Sequence, residues 1–251
     1  MRYKAIVQYD GTNYYGWQKQ GAENQIGVSS LIEKAVSKIL DTPTIIHGSG
    51  RTDRGVHANH QVFHFDSEKK VKNLKRLTYS INSQLPKDIY IVKISRVSDN
   101  FHARYSVKDK TYLYAIVSGL YSPFDANHAF QLNSVLDVPL MNRAAKLFIG
   151  EHSFKNFTTK EEDEAAFMRT IFSFRVIRNG DYDIDIIVRG SGFLRYMMRF
   201  MVGALIQVGL GKISAEYIEN LLNTTPERTI CQYKAEPQGL YLFDISYHKV
   251  V

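Results

Sequence analysis

Apolar and polar positions alternate over residues 3–9 and stop at Asp10-Gly11, a turn dipeptide, so the chain opens on a strand. The period then changes. Val28, Leu31, Ile32, Ala35, Val36, Ile39 and Leu40 recur at i, i+3, i+4 and i+7, which predicts an amphipathic helix that Asp41-Thr42-Pro43 ends. The β-branched stretch 44–46 predicts a strand entering a glycine-rich loop at 48–55. Residues 61–65 predict another strand, 71–81 a second helix and 89–97 a strand. That strand-helix-strand-strand-helix-strand order matches a split βαβ, ferredoxin-like unit.

The second half repeats the theme loosely. Residues 111–117 predict a strand and 141–149 a helix ending at Gly150. Strands over 170–178 and 182–189 flank Asn179-Gly180, a hairpin signal. A long helix over 193–208, a short one over 215–222 and a strand over 240–247 complete the pattern, and the acidic run 161–164 reads as an exposed loop. The expected fold class is α+β: two pseudo-repeated ferredoxin-like halves, residues 1–107 and 108–251, sharing an extended, mainly antiparallel sheet with a central active-site cleft.

Composition narrows the classes. With 44% hydrophobic and 23% charged residues, the chain has the make-up of a soluble globular protein. Its opening turns polar within a few residues, with no apolar segment and cleavage site of a signal peptide. The longest apolar stretch, 193–208, is interrupted by Arg195, Arg199 and Gln207 and is too short to span a bilayer. A single cysteine, Cys231, excludes an internal disulfide and a thiolate zinc site. The expected setting is the cytoplasm, without structural metal. The net charge of +7 favours polyanionic partners, and it is unevenly placed. Residues 1–107 hold 16 Lys and Arg against 9 Asp and Glu, and the remainder holds 16 against 16. Sixteen tyrosines suit base stacking and sheet faces equally.

The densest chemistry lies at Gly48-Ser-Gly-Arg-Thr-Asp-Arg-Gly-Val-His57. Glycines allow a tight loop and close backbone approach to a ligand. Asp53 between Arg51 and Arg54 is a carboxylate kept ionised, hence a candidate nucleophile or base; a surface turn with an Arg–Asp ion pair accommodates the same residues. The glycine spacing is not that of a dinucleotide loop, and no Lys-Ser/Thr follows as in a P-loop. His47, His57, His60 and His64 lack the thiolates or helical spacing of a zinc site and read as hydrogen-bonding strand and loop residues. Arg195 and Arg199, at i and i+4, fall on one face of the helix predicted over 193–208. A guanidinium buried there needs an anion, for which Asp53 is a candidate, unless both snorkel to the surface. Tyr112 and Tyr114 face one side of a strand that follows Lys108 and Lys110.

Together these segments resemble the TruA family of tRNA pseudouridine synthases. The family loop G-x-G-R-T-D-x-G-V-H-A stands as residues 48–58, and Y-D-G-T-x-Y-x-G-W-Q as residues 9–18. F-H-A-R stands as 101–104, Y-x-Y as 112–114, F-x-x-x-M-x-R-x-x-V-G as 193–203, and G-L-Y-L as 239–242. The order and spacing hold from residue 3 to residue 247. The resemblance implies Asp53 as catalytic nucleophile and Arg51 as the residue that holds the loop and orients it. It implies Tyr112 as the tyrosine that stacks on the target base, and Arg199 as the basic partner of the aspartate. Arg54, Lys110 and Arg195 are candidate substrate contacts. The implied activity is isomerisation of uridine to pseudouridine in the tRNA anticodon stem-loop, around positions 38–40, by a homodimer that flips the base and uses no cofactor or metal. Two positions depart from the family: Arg54 stands where alanine is common, and Met-Met-Arg-Phe-Met replaces M-V-R followed by a polar residue. An RNA-binding module without catalysis shares the charge and the tyrosines, but gives no reason for a carboxylate in a basic groove.

Overall fold

A computed structural model describes residues 1–251 apart from 20, 22, 23, 69, 162, 163, 224–226 and 249–251. In chain order the elements are β1 (Arg2–Tyr9), α1 (Val28–Leu40), β2 (Ile46–Gly48), β3 (His57–Asp66), α2 (Leu74–Asn82) and β4 (Ile89–Val97). They continue with β5 (Val107–Val117), β6 (Phe130–Gln131), α3 (Val138–Ala145), β7 (Gly150–Ser153), β8 (Met168–Asn179) and β9 (Asp183–Gly190). The last are α4 (Met197–Gly209), α5 (Ala215–Leu222) and β10 (Leu240–Tyr247). The fold is α+β and its strands pair mainly antiparallel. No helix among the described residues is long and apolar enough to cross a membrane.

The chain forms two compact units. The first holds Met1–Lys108 and the C-terminal stretch from Tyr241; the second is Asp109–Leu240. The division expected at 107/108 therefore differs at one end, because β10 returns to the first unit and pairs in parallel with β3 (Tyr241 opposite His57, Leu242 opposite Ala58). Pairing depends on distant register, which strand periodicity does not carry.

In the first unit β1 lies antiparallel between β3 and β4, and β2 pairs with β3. Alternation along β1 buries Tyr3, Ala5, Val7 and Tyr9, with Ala5 and Val7 fully inaccessible. The buried stripes of α1 (Val28, Ile32, Ala35, Val36) and α2 (Leu77, Ile81) complete this core. The β1–β3 register slips between Val7 and Tyr9, a bulge at the point where the strand delivers Tyr9 and Asp10 to the loops above. The second unit orders its strands β5-β9-β8-β7, with β6 beside β5. The hairpin at Asn179-Gly180 is present, and Gly180 takes φ +76° there.

Several boundaries differ from the sequence reading. α2 starts at Leu74 because the Asn73 side chain caps it, accepting from Arg76 N at 2.9 Å. Asp137 caps α3 in the same way, moving its start to Val138, and the expected end of that helix is a 3-10 turn, Lys146–Phe148. β2 lies two residues later than the stretch 44–46, and β3 starts at His57 rather than at 61. In the acidic run, Glu161 is exposed and Glu164 opens a 3-10 turn, Glu164–Phe167; Glu162 and Asp163 lie outside the described residues. The largest correction concerns α4, which begins at Met197 and not at Phe193.

Candidate active site

The loop between β2 and β3 carries Arg51, Asp53 and Arg54, and its anchors are mostly main-chain. Ser49 N continues the ladder to Val62 O at 2.8 Å, while Ser49 Oγ donates to Gln61 Oε1 at 2.6 Å and Gln61 Nε2 donates to Gly50 O at 3.0 Å. Both Ser49 and Gln61 are fully buried, so the bond between them faces no competing water. Asp53 O accepts from Val56 N at 3.2 Å and closes a turn that Gly55 completes with φ +76°. Asp53 is half-buried; Arg51 and Arg54 are exposed.

The segment after β1 packs on this loop. Tyr9 and Thr52 share a buried hydroxyl–hydroxyl bond of 2.8 Å, Trp17 N donates to Thr52 O at 3.2 Å, and Gly55 N donates to Tyr14 O at 3.2 Å. Burial raises the Tyr9 phenol above its ordinary pKa, which keeps it protonated for that bond. Gly11 N donates to His57 Nδ1 at 3.0 Å, and the His57 ring stacks on Tyr241 with centroids 4.7 Å apart. Contact is so close that a Cβ on Gly11 would overlap Val56 O and one on Gly16 would overlap Thr52 O. Arg54 extends over the Tyr15 ring, 4.3 Å from its centroid. The partners Tyr9, Tyr14, Trp17 and Gln61 were given no role by the sequence reading. The motif at 9–18 was the available signal, but spacing does not reveal which loop it touches.

In the second unit, Tyr112 and Tyr114 lie on β5 and both point into buried surroundings, as alternation predicts. Tyr112 stands opposite Val188, and its ring meets Phe193 edge-on with centroids 4.9 Å apart. Lys110, two residues before it, is opposite Gly190. Tyr196 precedes α4 in the left-handed region with φ 62°, so residues 193–196 lie outside the helix, with a turn at 195–196. Arg195 is therefore exposed off the helix, where it donates to Tyr196 Oη at 2.9 Å, whereas Arg199 is buried in the first turn. The expected shared helical face for these arginines is corrected accordingly. Arg199 Nε donates to Ala235 O at 2.7 Å, and Ala235 N donates back to Arg199 O at 2.9 Å. Thr158 Oγ1 fixes the turn by donating to Arg195 O at 2.9 Å.

The histidines sort by environment. His60 Nδ1 lies 3.2 Å from Asp244. His47 stacks on His64 at 4.9 Å, and His102 meets His64 edge-on at 4.6 Å. Backbone N–H groups occupy the inner ring nitrogens: Ala103 N donates to His64 Nδ1, and Arg104 N to His102 Nδ1, both at 3.1 Å. Among the described residues no cluster of three or more His, Cys, Asp or Glu is arranged to hold a metal ion. Burial, aided by Arg2, His102 and His47, pushes His64 down to about 4. Between that value and the unfolded one near 6.5, the unfolded chain binds the extra proton, so stability is complete above about pH 6.5 and is lost as pH falls toward 4. The expected loss is about 2 kcal/mol by pH 5 and about 3 kcal/mol at most. Urea unfolding at pH 7 and pH 5 measures it, and His64→Gln should flatten the difference. An equal pH dependence in that variant would assign it to other groups.

A profile of the tRNA pseudouridine synthase family matches residues 5–106 and 144–248. Curated proteins named tRNA pseudouridine synthase A from Thermoanaerobacter sp. and from Lactococcus lactis subsp. lactis are each 38% identical to the chain. Those alignments cover 96% and 98% of this chain and 98% and 97% of the relatives. A tRNA pseudouridine synthase A 2 from Bacillus anthracis is 39% identical over 98% of this chain and 99% of its own length.

Proposed function

The chain belongs to the tRNA pseudouridine synthase family, and from that membership we propose that it isomerises uridine in the anticodon stem-loop of tRNA, around positions 38–40, with Asp53 as nucleophile. The enzyme class, an isomerase acting on tRNA uridines, comes with the family; the target positions and the residue roles are our reading. The observation that carries it is the presentation of Asp53: a carboxylate at the tip of a loop whose neighbours Thr52 and Gly55 are bonded to a second loop through Tyr9, Trp17 and Tyr14. Such anchoring is the preorganisation a positioned nucleophile requires.

Isomerisation breaks the N1–C1′ bond, turns the uracil while it remains bound, and forms a C5–C1′ bond with loss of the C5 proton. The change is redox-neutral. A stem-loop uridine has to leave its stack before a side chain reaches the sugar or the base, and the basic residues of the first unit supply phosphate attraction for that. Tyr112 receives the base by stacking, worth about 1–3 kcal/mol per base. Asp53 acts at C1′, at C6, or by abstracting a ribose proton. Arg51 and Arg199 keep the roles the resemblance implies, with Arg54, Lys110 and Arg195 as substrate contacts. The order β4-β1-β3 with β2 beside β3 supports ferredoxin-like topology for the first half. The same resemblance supports a cytoplasmic homodimer that works without cofactor or metal.

The test is tritium release from C5-labelled uridine in an unmodified tRNA transcript, followed by mapping of each pseudouridine formed. Modification at 38–40 is expected. Modification only elsewhere would remove the anticodon assignment and keep the isomerase.

A further inference from the structure

Tyr196 collects three cations in the second unit. The Arg195 guanidinium carbon lies 4.7 Å from its ring centroid, the Lys234 ammonium 4.9 Å and the Arg199 guanidinium carbon 5.5 Å. Arg195 also donates to the hydroxyl of this ring, Tyr196 Oη, at 2.9 Å. Attraction to the ring quadrupole is modest at a solvated site, and like charges this close repel one another. None of the ion pairs among the described residues involves Arg195, Arg199 or Lys234. Arg199 is buried and tied down by its bond to Ala235 O, whereas Arg195 and Lys234 are exposed.

The cluster is assembled by features that packing alone does not require. Tyr196 is one of two described non-glycine residues with positive φ, and the other, Asp41, caps the C-terminus of α1, where that conformation is common. A bulky residue held at φ 62° implies strain sustained by its surroundings, here the Thr158 bond to Arg195 O and the bond from Phe200 N to Tyr196 O at 3.0 Å. Lys234 is brought in by the segment 233–235, which lies directly on α4 at Gly203, where a Cβ would stand 2.5 Å from Tyr233 O.

We propose that Arg195 and Lys234, both held against the Tyr196 ring, form a clamp for one backbone phosphate of the RNA substrate. The clamp rests on the tRNA reading above and extends it to a defined contact. A phosphodiester relieves the repulsion that no ion pair among the described residues relieves. Arginine offers it a bidentate fork and lysine a mobile point charge. Tyr196 is a positioning residue in this arrangement, since its ring fixes where the two charges stand.

The experiment is filter binding of an unmodified tRNA transcript between 50 and 200 mM salt, for wild type, the double variant R195Q/K234Q and the charge-keeping double variant R195K/K234R. Each phosphate neutralised contributes about 0.7–0.9 to the slope of log affinity against log salt. R195Q/K234Q is expected to lower that slope by about one and to bind several-fold more weakly, while R195K/K234R keeps the wild-type slope. Its melting temperature should equal or exceed that of wild type, because a repulsion has been removed. Equal slopes for wild type and R195Q/K234Q overturn the clamp, as does a slope lost equally in R195K/K234R, which would tie it to folding. A wild type that binds tRNA and forms no pseudouridine removes the functional reading and leaves the clamp standing on its slope. A wild type that modifies tRNA with unchanged slopes removes the clamp alone.

Discussion

Asp53→Ala protein is expected to release no tritium from C5-labelled uridine in tRNA, a loss of at least ~10⁴-fold in turnover, while its Kd for the same transcript stays within a few-fold of wild type. The separation of the two effects follows from how the loop is built. The turn at residue 53 runs through main-chain atoms, Asp53 O accepting from Val56 N, and the neighbouring anchor is Trp17 N on Thr52 O. An alanine at 53 keeps both. What disappears is the carboxylate, and with it the nucleophile proposed above. Asp53→Asn sharpens the test, since it retains shape and removes only charge and nucleophilicity. Both variants should melt within a degree or two of wild type. Parallel losses of turnover, binding and melting temperature would instead make Asp53 a structural residue of the loop.

Much of the fold was legible because local rules and tertiary packing agree. The bounds of α1 follow from its 3.6 period and from Asp41, which caps it with φ 52°. The bounds of β4, α5 and β10 likewise coincide with their hydrophobic runs. The start of α4 was illegible for a physical reason. Residues 193–196 carry helical periodicity, but periodicity records which positions are apolar, not the φ of Tyr196. Phe193 leaves the helix to meet Tyr112, and Thr158, 37 residues earlier, holds Arg195 O. β7 was overlooked because four residues, Gly150–Ser153, become a strand only through pairing with β8. Among the candidate residues, Asp53 in the first unit and Tyr112 and Arg199 in the second stood out by type and motif. Their supports did not: Tyr9 and Thr52 are 43 residues apart, and Lys234 reaches Tyr196 from a segment with no period of its own.

Gly16→Ala should be the second most damaging single change, although Gly16 carries no functional group. Its φ is +83°, and its missing Cβ is where the Thr52 carbonyl passes, with Asp53 C only 3.0 Å away. Alanine there incurs about 1–2 kcal/mol for the left-handed backbone alone. The overlap with Thr52 O adds a cost that only a shift of the 51–54 backbone relieves, because both atoms belong to main chain. A shift of about 1 Å in a nucleophile is worth about 10²-fold in rate, so turnover should fall by that factor or more even where the protein remains folded. Gly180→Ala separates the two causes. Gly180 has φ +76°, close to that of Gly16, but nothing stands within 4 Å of its added Cβ. It should therefore lose only the backbone term, about 1 kcal/mol in urea unfolding, and keep full tRNA modification. If Gly16→Ala loses no more activity than Gly180→Ala, the segment after β1 does not set the position of Asp53, and the loop 48–57 holds its own geometry.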